Sequence, residues 1–268
     1  VYAGTIPGGL FVSDDGGDNW MLNRPLWNHE SRGGDLFAGE ATSENQWSGT
    51  PASIDYGVFE PGIHSIVIDP RDPQHMHVAV SSAGVLETTD GGHTWTGRNR
   101  GMLNDYTPEP ESAWGHDPHF VTSCAGQPDH LWQQNHCGVF YSADGAKQWA
   151  KVSQLDVGVH FGFPIAVDAH DGRTAWVVPA RGDMERMAIG GGLYVARTTD
   201  GGQSWQAFTH GLPQQNAYDI VLRHGLDVSG DTLCFGGTTG NVYVSEDRGE
   251  TWQCLGNHFP PVYSVRFG

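Results

Sequence analysis

Short apolar runs alternate with polar, glycine-rich turns along the whole chain, and the turns follow one pattern. The octet SDDGGDNW at residues 13–20 has the form [ST]-x-D-x-x-x-x-W, and further copies begin at Thr88, Ser142, Thr198 and Ser245. The run before each copy is rich in strand-forming residues: LFV, GVL, GVFY, LYV and NVYV. Strands that alternate with a repeated hairpin turn predict an all-β protein built from similar units.

The residue types of the octet suit a tight β-hairpin. The aspartate carboxylate can accept backbone N–H groups inside the turn, and the glycines permit a positive φ. The tryptophan then opens the next strand and buries a large apolar surface. Ala146 replaces the glycine at the fifth position of the third copy. A calcium ion in each turn is the alternative, but we favour an aspartate that only folds its own hairpin.

The octet resembles the Asp-box, or BNR, repeat, and five matches spread the resemblance over the whole chain. The segments around the octets resemble a group of bacterial BNR-repeat proteins that are described as sialidase-like or glycosyl-hydrolase-like. The segments that carry this resemblance are LWNHESR (26–32), GIHSIVIDPRDP (62–73), QQNHCGVFYSADG (133–145), FGFPIAV (161–167) and AYDIVLRH (217–224). The resemblance implies a β-propeller in which each octet joins the third and fourth strands of a blade.

Placing each octet between third and fourth strands predicts five four-stranded blades in a single propeller domain, residues 1–268. The predicted first strands of four blades are 65–68, 120–123, 165–168 and 220–223. The N-terminal blade lacks a first strand, and the C-terminal segment Val262–Phe267 is a first strand with nothing after it. Pairing Val262–Phe267 with Val1–Gly4 would close the ring and remove two exposed strand edges.

The charge of the chain limits its partners. Fourteen basic against 31 acidic residues give a formal charge of −17, which argues against nucleic acid and against an anionic membrane surface. No apolar run is long enough to span a bilayer, and residues 1–17 lack the pattern of a signal peptide. The four cysteines form no CxxC pair, and a strand separates Cys234 from Cys254. We therefore expect free thiols and a cytoplasmic protein of unknown oligomeric state.

Histidines and an aspartate are predicted to meet where the first strands enter the central channel. His64 and His119 precede first strands, Asp219 has the corresponding place in a later blade, and His136 ends a second strand. We predict that these four bind a divalent metal such as zinc, with calcium less favoured. Asp219, His136 and His160 are the predicted catalytic residues of a hydrolase acting on small activated esters or phosphoesters. Metal-free acid–base chemistry, or polar residues that only line a wet channel, are the alternatives.

Long loops on the same face supply predicted contacts to a small-molecule substrate. The predicted substrate-binding residues are His29, Arg32, Trp114, Gln134 and Asn135. Five other histidines lie near turns away from this face and are predicted to be surface residues: His75, His77, His93, His130 and His170.

Two other functions stay open at this point. A carbohydrate-active or sugar-binding propeller could stack pyranose rings on Trp27, Trp47 or Trp114. A sialidase is less favoured, because residues 5–7 read Thr-Ile-Pro where such enzymes carry an arginine motif, and few arginines, among them Arg186 and Arg223, are available to bind a carboxylate. A non-catalytic interaction scaffold is the third possibility.

Overall fold

A computed structural model describes residues 1–6, 8–32, 62–105 and 109–268, and the side chain of Arg32 lies outside the described part. Within these ranges the chain forms five antiparallel sheets, four with four strands and one with three. The predicted all-β class and the count of five sheets are therefore confirmed. The chain divides into two compact units, residues 1–121 and 122–268, so the prediction of one domain stays a prediction. No helix among the described residues is long and apolar enough to cross a membrane.

The first unit contains two sheets and a short helix. The strands are β1 (Tyr2–Gly4), β2 (Leu10–Val12), β3 (Met21–Leu22), β4 (Ile63–Asp69), β5 (Asp72–Val80), β6 (Gly84–Thr88) and β7 (Thr96–Gly97). Strands β1 to β3 form the three-stranded sheet, and β4 to β7 form a four-stranded one. Helix α1 (Arg24–Trp27) begins after Asn23, whose side chain accepts the Leu26 amide at 2.9 Å and so caps the free N–H groups of the first turn.

The second unit contains the remaining sheets, and β8 (Pro118–Cys124) crosses the boundary between the units. The other strands are β9 (Gln127–Asn135), β10 (Gly138–Ser142), β11 (Ala150–Lys151), β12 (Gly162–Val167), β13 (Ala175–Pro179), β14 (Val195–Thr198), β15 (Gln206–Phe208), β16 (Leu226–Ser229), β17 (Thr232–Gly236), β18 (Val242–Ser245) and β19 (Gln253–Gly256). Each sheet follows chain order, β8–β11, β12–β15 and β16–β19, as expected for consecutive hairpins.

Runs of consecutive buried residues on the inner strands build the core. On β5 the side chains of Met76, Val78 and Val80 are fully buried and pack with Leu86 of β6 in the first unit. The largest core cluster of the second unit includes Trp176, Phe235 and Trp252. Four of the octet tryptophans, Trp95, Trp149, Trp205 and Trp252, are buried as predicted, whereas Trp20 of the first octet is 41% exposed.

All five octets form the same hydrogen-bonded turn. In the second copy, Thr88 donates its hydroxyl to Asp90 at 2.7 Å and accepts the Gly92 amide at 2.8 Å, while Asp90 accepts the Thr94 amide at 2.9 Å. The equivalent bonds occur in the other four copies. These bonds keep the pKa of Asp90 below its usual value, chiefly through the Thr94 side chain. The carboxylate is thus occupied by donors of its own turn, which supports a folding role.

Two elements near the C-terminus differ from the sequence prediction. The first strand of the last sheet is β16 (Leu226–Ser229), and the predicted strand at 220–223 is wrong. Residue Ile220 is buried, but its amide and carbonyl bind Thr238 of a neighbouring loop, so apolar residues there reflect loop packing. In the described structure Val262–Phe267 forms no strand, and Ser264 makes an isolated parallel bridge to His224. Ring closure through this segment therefore stays a prediction.

All four cysteines are free, as predicted. Cys234 on β17 and Cys254 on β19 pair with different sides of β18, which keeps a strand between them. Cys124 and Cys137 are buried, and burial raises the pKa of the Cys124 thiol.

Candidate functional site

Charged and aromatic side chains meet above β12 in the second unit. The guanidinium groups of Arg186 and Arg223 lie 5.4 Å and 5.3 Å from the ring centre of Phe163. The ring of Phe161 meets Phe163 edge-on at 5.4 Å, and His136 meets Phe161 edge-on at 5.6 Å. We call His136, Phe161, Phe163, Arg186 and Arg223 the Phe163 cluster. It combines hydrogen-bond donors with apolar rings, the composition of a ligand pocket.

The segment before β16 carries Asp219 alongside this cluster. Ile220 packs in one buried group with Phe161 and Phe163, so its neighbour Asp219 lies close to the cluster. Asp219 is 4% exposed, and its Oδ1 accepts the Asn241 side-chain amide at 2.9 Å and the Thr239 hydroxyl. Both bonds reach the same carboxylate oxygen and fix the orientation of the group.

Tyr218 stands out as an exposed ring next to Asp219. Its exposed fraction is 61%, high for an aromatic side chain on a loop whose neighbours are buried. Tyr218 was not among the predicted site residues, although its place beside a predicted catalytic aspartate is visible in the sequence.

The other predicted residues of the second unit hold backbone in place. Gln134 is buried and donates to the His160 carbonyl at 2.9 Å, which ties the end of β9 to the loop before β12. Asn135 accepts the Cys137 amide at 3.0 Å and donates to Gln133 at 3.0 Å. These contacts support the loops around the cluster, and direct contact of Gln134, Asn135 or His160 with a substrate stays a prediction.

Two predicted substrate-binding residues of the first unit touch each other. The rings of His29 and Trp114 meet edge-on at 5.2 Å. Trp114 packs over Gly97 of β7, where any added Cβ would meet the indole. Burial lowers the pKa of His29, so its ring is neutral at pH 7. Trp47 lies outside the described residues, as does the side chain of Arg32.

The four predicted metal ligands are divided between the units. His64 and His119 are each the second residue of a strand, β4 and β8, in the first unit. His119 is buried, with Nε2 3.7 Å from Asp117. His136 and Asp219 belong to the second unit, and Asp219 lies well before β16 and so lacks the strand position predicted for it. A metal shared by the four stays a prediction.

Of the histidines predicted to be surface residues, His77 is buried and His75 is only partly exposed. His77 is 4% exposed, and the side chain of His75 is 20% exposed. The prediction failed because β5 begins as early as Asp72, so both histidines lie within the strand instead of in the turn before it.

Part of the chain is similar to a known protein. No family model matches the chain. The chain is similar to the oligoxyloglucan-reducing end-specific xyloglucanase of Emericella nidulans, with 29% identity over 171 residues, 60% of this chain and 19% of the relative. The chain therefore spans about a fifth of that protein.

Solved structures show a similar fold. The GH74 enzyme of Niastella koreensis matches with a TM-score of 0.60 and 16% identity over 97% of this chain and 36% of its own. YCF48 bound to D1 peptide matches with a TM-score of 0.53 and 13% identity over 95% of this chain and 64% of its own. An ancestral GH74 enzyme matches with a TM-score of 0.51 and 20% identity over 71% of this chain and 23% of its own. The predicted β-propeller fold is confirmed, and membership of the BNR-repeat group stays a prediction.

Proposed function

We propose that this chain is a carbohydrate-active propeller that binds a xyloglucan-type oligosaccharide at the Phe163 cluster. The observation that carries the proposal is the similarity to a xyloglucanase over 171 residues. Of the functions weighed from the sequence, this support favours the carbohydrate-active alternative over a metal-assisted hydrolase of small esters.

The side chains around the cluster suit sugar hydroxyls and sugar rings. Arg186 and Arg223 each carry several N–H donors, and Arg186 is itself oriented by Asp183 on the same loop. The exposed ring of Tyr218 offers a flat apolar surface against which a pyranose ring can stack. Tyr218, Asp219 and Arg223 lie on the loop before β16, and Arg186 reaches Phe163 from the loop before β14.

Asp219 is the residue to which we assign a role in glycoside cleavage. Such cleavage uses two carboxyl groups about 5–10 Å apart, one of which donates or accepts the proton at the scissile bond. Asp219 is buried beside the cluster, and Thr239 and Asn241 both bind its Oδ1, so Oδ2 is the oxygen to which we assign the proton transfer. A carboxylate fixed in this way meets the positioning requirement of an acid–base catalyst.

The proposal is tested by calorimetric titration with a purified xyloglucan oligosaccharide. Tyr218→Ala and Arg223→Ala should each weaken binding about tenfold or more, because each removes a contact worth about 1.4 kcal/mol or more. Tyr263→Ala is the matched control, since Tyr263 is an equally exposed tyrosine (63% against 61%) elsewhere in the second unit.

The outcomes separate the candidate functions. Binding that is lost in the two site variants and kept in Tyr263→Ala supports the proposal. Absence of binding at millimolar oligosaccharide overturns it and favours a non-catalytic scaffold. Equal binding by all variants would place the sugar elsewhere and overturn the site.

A further inference from the structure

We propose that His75, His77 and Glu87 of the first unit form a binding site for zinc or a similar transition-metal ion. One ligand atom from each residue, an imidazole nitrogen or a carboxylate oxygen, lies within 4.8 Å of the other two. This inference does not depend on the proposed carbohydrate function, and two of its three residues, His75 and His77, were predicted from the sequence to lie at the surface.

Strand register brings the three side chains together. His75 and His77 are two residues apart on β5, so both side chains point to the same face of the sheet. Glu87 on β6 is the direct cross-strand partner of His77. Residues that face each other across an antiparallel pair have Cβ atoms about 5 Å apart, which lets their side chains converge without distorting the backbone.

The spacing of the ligand atoms suits a tetrahedral ion. Glu87 Oε1 lies 3.4 Å from His77 Nε2 and 2.8 Å from His75 Nε2. Ligands at about 2.1 Å from a tetrahedral zinc are about 3.4 Å from one another. The His77–Glu87 pair already has this spacing, and the partly exposed His75 ring needs to withdraw by about 0.6 Å to match it. Two histidines and one carboxylate leave a fourth position for water.

Surrounding charges orient the ligands in the way that metal sites require. His75 Nδ1 lies 3.1 Å from Asp69 Oδ2, and the Arg71 guanidinium fixes Asp69 through an N···O contact of 2.7 Å. A carboxylate that accepts Nδ1–H leaves the lone pair of Nε2 directed at the ion. On the other side, Arg98 Nε donates to Glu87 Oε2 at 2.6 Å and leaves Oε1 for the metal.

An unpartnered nitrogen supplies independent support. His77 is more than nine-tenths buried, and among the described residues its Nε2 makes no hydrogen bond, although it faces Glu87 Oε1 at 3.4 Å. Buried polar atoms are almost always hydrogen-bonded, so such a group needs an explanation. A cation between Nε2 and Oε1 would satisfy both atoms at once, since each would present a lone pair to it.

The experiment uses the full chain, treated with chelator, dialysed and titrated with Co²⁺ and then Zn²⁺. We expect one equivalent of Co²⁺ to give the intense visible absorption of a four-coordinate site, and Zn²⁺ to displace it and raise the melting temperature. His77→Gln should weaken the affinity at least 100-fold, and Asp69→Asn should weaken it about 10–100-fold because it acts through His75.

His93→Gln is the matched control, because His93 is an exposed histidine in the same unit that binds only its own turn. Its affinity should equal that of the wild type. The proposal is overturned if the wild type binds no Co²⁺ at millimolar concentration, or if His77→Gln, Asp69→Asn and His93→Gln all bind like the wild type. Circular dichroism of each variant shows whether it is folded. If His77→Gln fails to fold, Asp69→Asn serves as the test, because it keeps all three ligands.

Discussion

Replacing Arg248 tests how the second unit joins two of its sheets. Arg248 stands at the fourth octet position, where the other four copies have glycine, and its φ of 62° lies in the left-handed region. Its side chain donates to Asp168 at 2.8 Å and lies over the Trp176 ring at 5.3 Å. The strained backbone is thus accompanied by contacts that link the last octet to β12 and β13, the first two strands of the preceding sheet.

The expected magnitude follows from these contacts. A hydrogen bond between charged groups contributes about 1.5–3 kcal/mol, which we reduce to about 1 because the Arg248 side chain is 36% exposed. The contact with Trp176 adds about 0.5–1 kcal/mol. Arg248→Ala should therefore lower the free energy of unfolding by about 2 kcal/mol. Arg248→Gly should cost about 1 kcal/mol, because glycine relieves most of the left-handed strain.

The cost of Arg248→Ala should also depend on pH. Burial raises the pKa of Asp168, but the His170 amide, the Arg248 guanidinium and the Asp171 amide outweigh it, so the pKa lies below the usual value. Because the pKa of Asp168 is lower in the folded state, the ionised carboxylate stabilises the fold fully at pH values above the unfolded-state pKa of about 4. This stabilisation is lost as the pH falls through the folded-state pKa. Urea unfolding at pH 7 and pH 3 measures this. Equal costs for alanine and glycine, or a cost that does not shrink at pH 3, would refute the reasoning.

Three further predictions concern other parts of the fold. In thermal unfolding, Gly240→Ala should destabilise the protein by about 2 kcal/mol or more, because the φ of Gly240 is 86° and an added Cβ would overlap the Phe259 carbonyl. Gly182 has open space around it, so Gly182→Ala should change the stability little. Ser245→Ala should lower the free energy of unfolding by about 1–2 kcal/mol, because it removes hydrogen bonds to Asp247 and Gly249. This loss should become smaller as the pH drops from about 4 towards the Asp247 pKa of about 2, and an equal loss at pH 7 and pH 2.5 would contradict this. A thiol reagent should label the exposed Cys254 well before the buried Cys124, because burial raises the pKa of the Cys124 thiol. Mass spectrometry of the labelled chain measures the order, and labelling of Cys124 first would contradict its burial.

The octets made most of the fold predictable. Each combines an aspartate, at least one left-handed glycine and a tryptophan, so the signal is local, and the strands on either side follow from it. The segment 220–223 misled the prediction because its apolar residues pack a loop, whereas β16 (Leu226–Ser229) is short and partly polar. The local sequence does not distinguish apolar residues that are buried in a loop from apolar residues that are buried in a strand.

The candidate site was predictable only in part. His136 and Asp219 were chosen because they end or precede strands, and both lie at or beside the Phe163 cluster. Arg186 and Arg223 were noted only as possible sialidase arginines, since their contact with Phe163 depends on how separate loops pack. The pairing of His77 with Glu87 depended on strand register, which loop lengths alone do not fix.

The most direct test of the central claim compares the release of reducing ends from xyloglucan oligosaccharide by wild type and Asp219→Asn. Asparagine keeps the acceptor oxygen that Thr239 and Asn241 bind, so the fold and the binding of oligosaccharide should persist. Loss of the carboxyl group should lower turnover by about 10²–10⁴-fold. Equal turnover by the two proteins, or no turnover by a wild type that binds the sugar, would contradict the account.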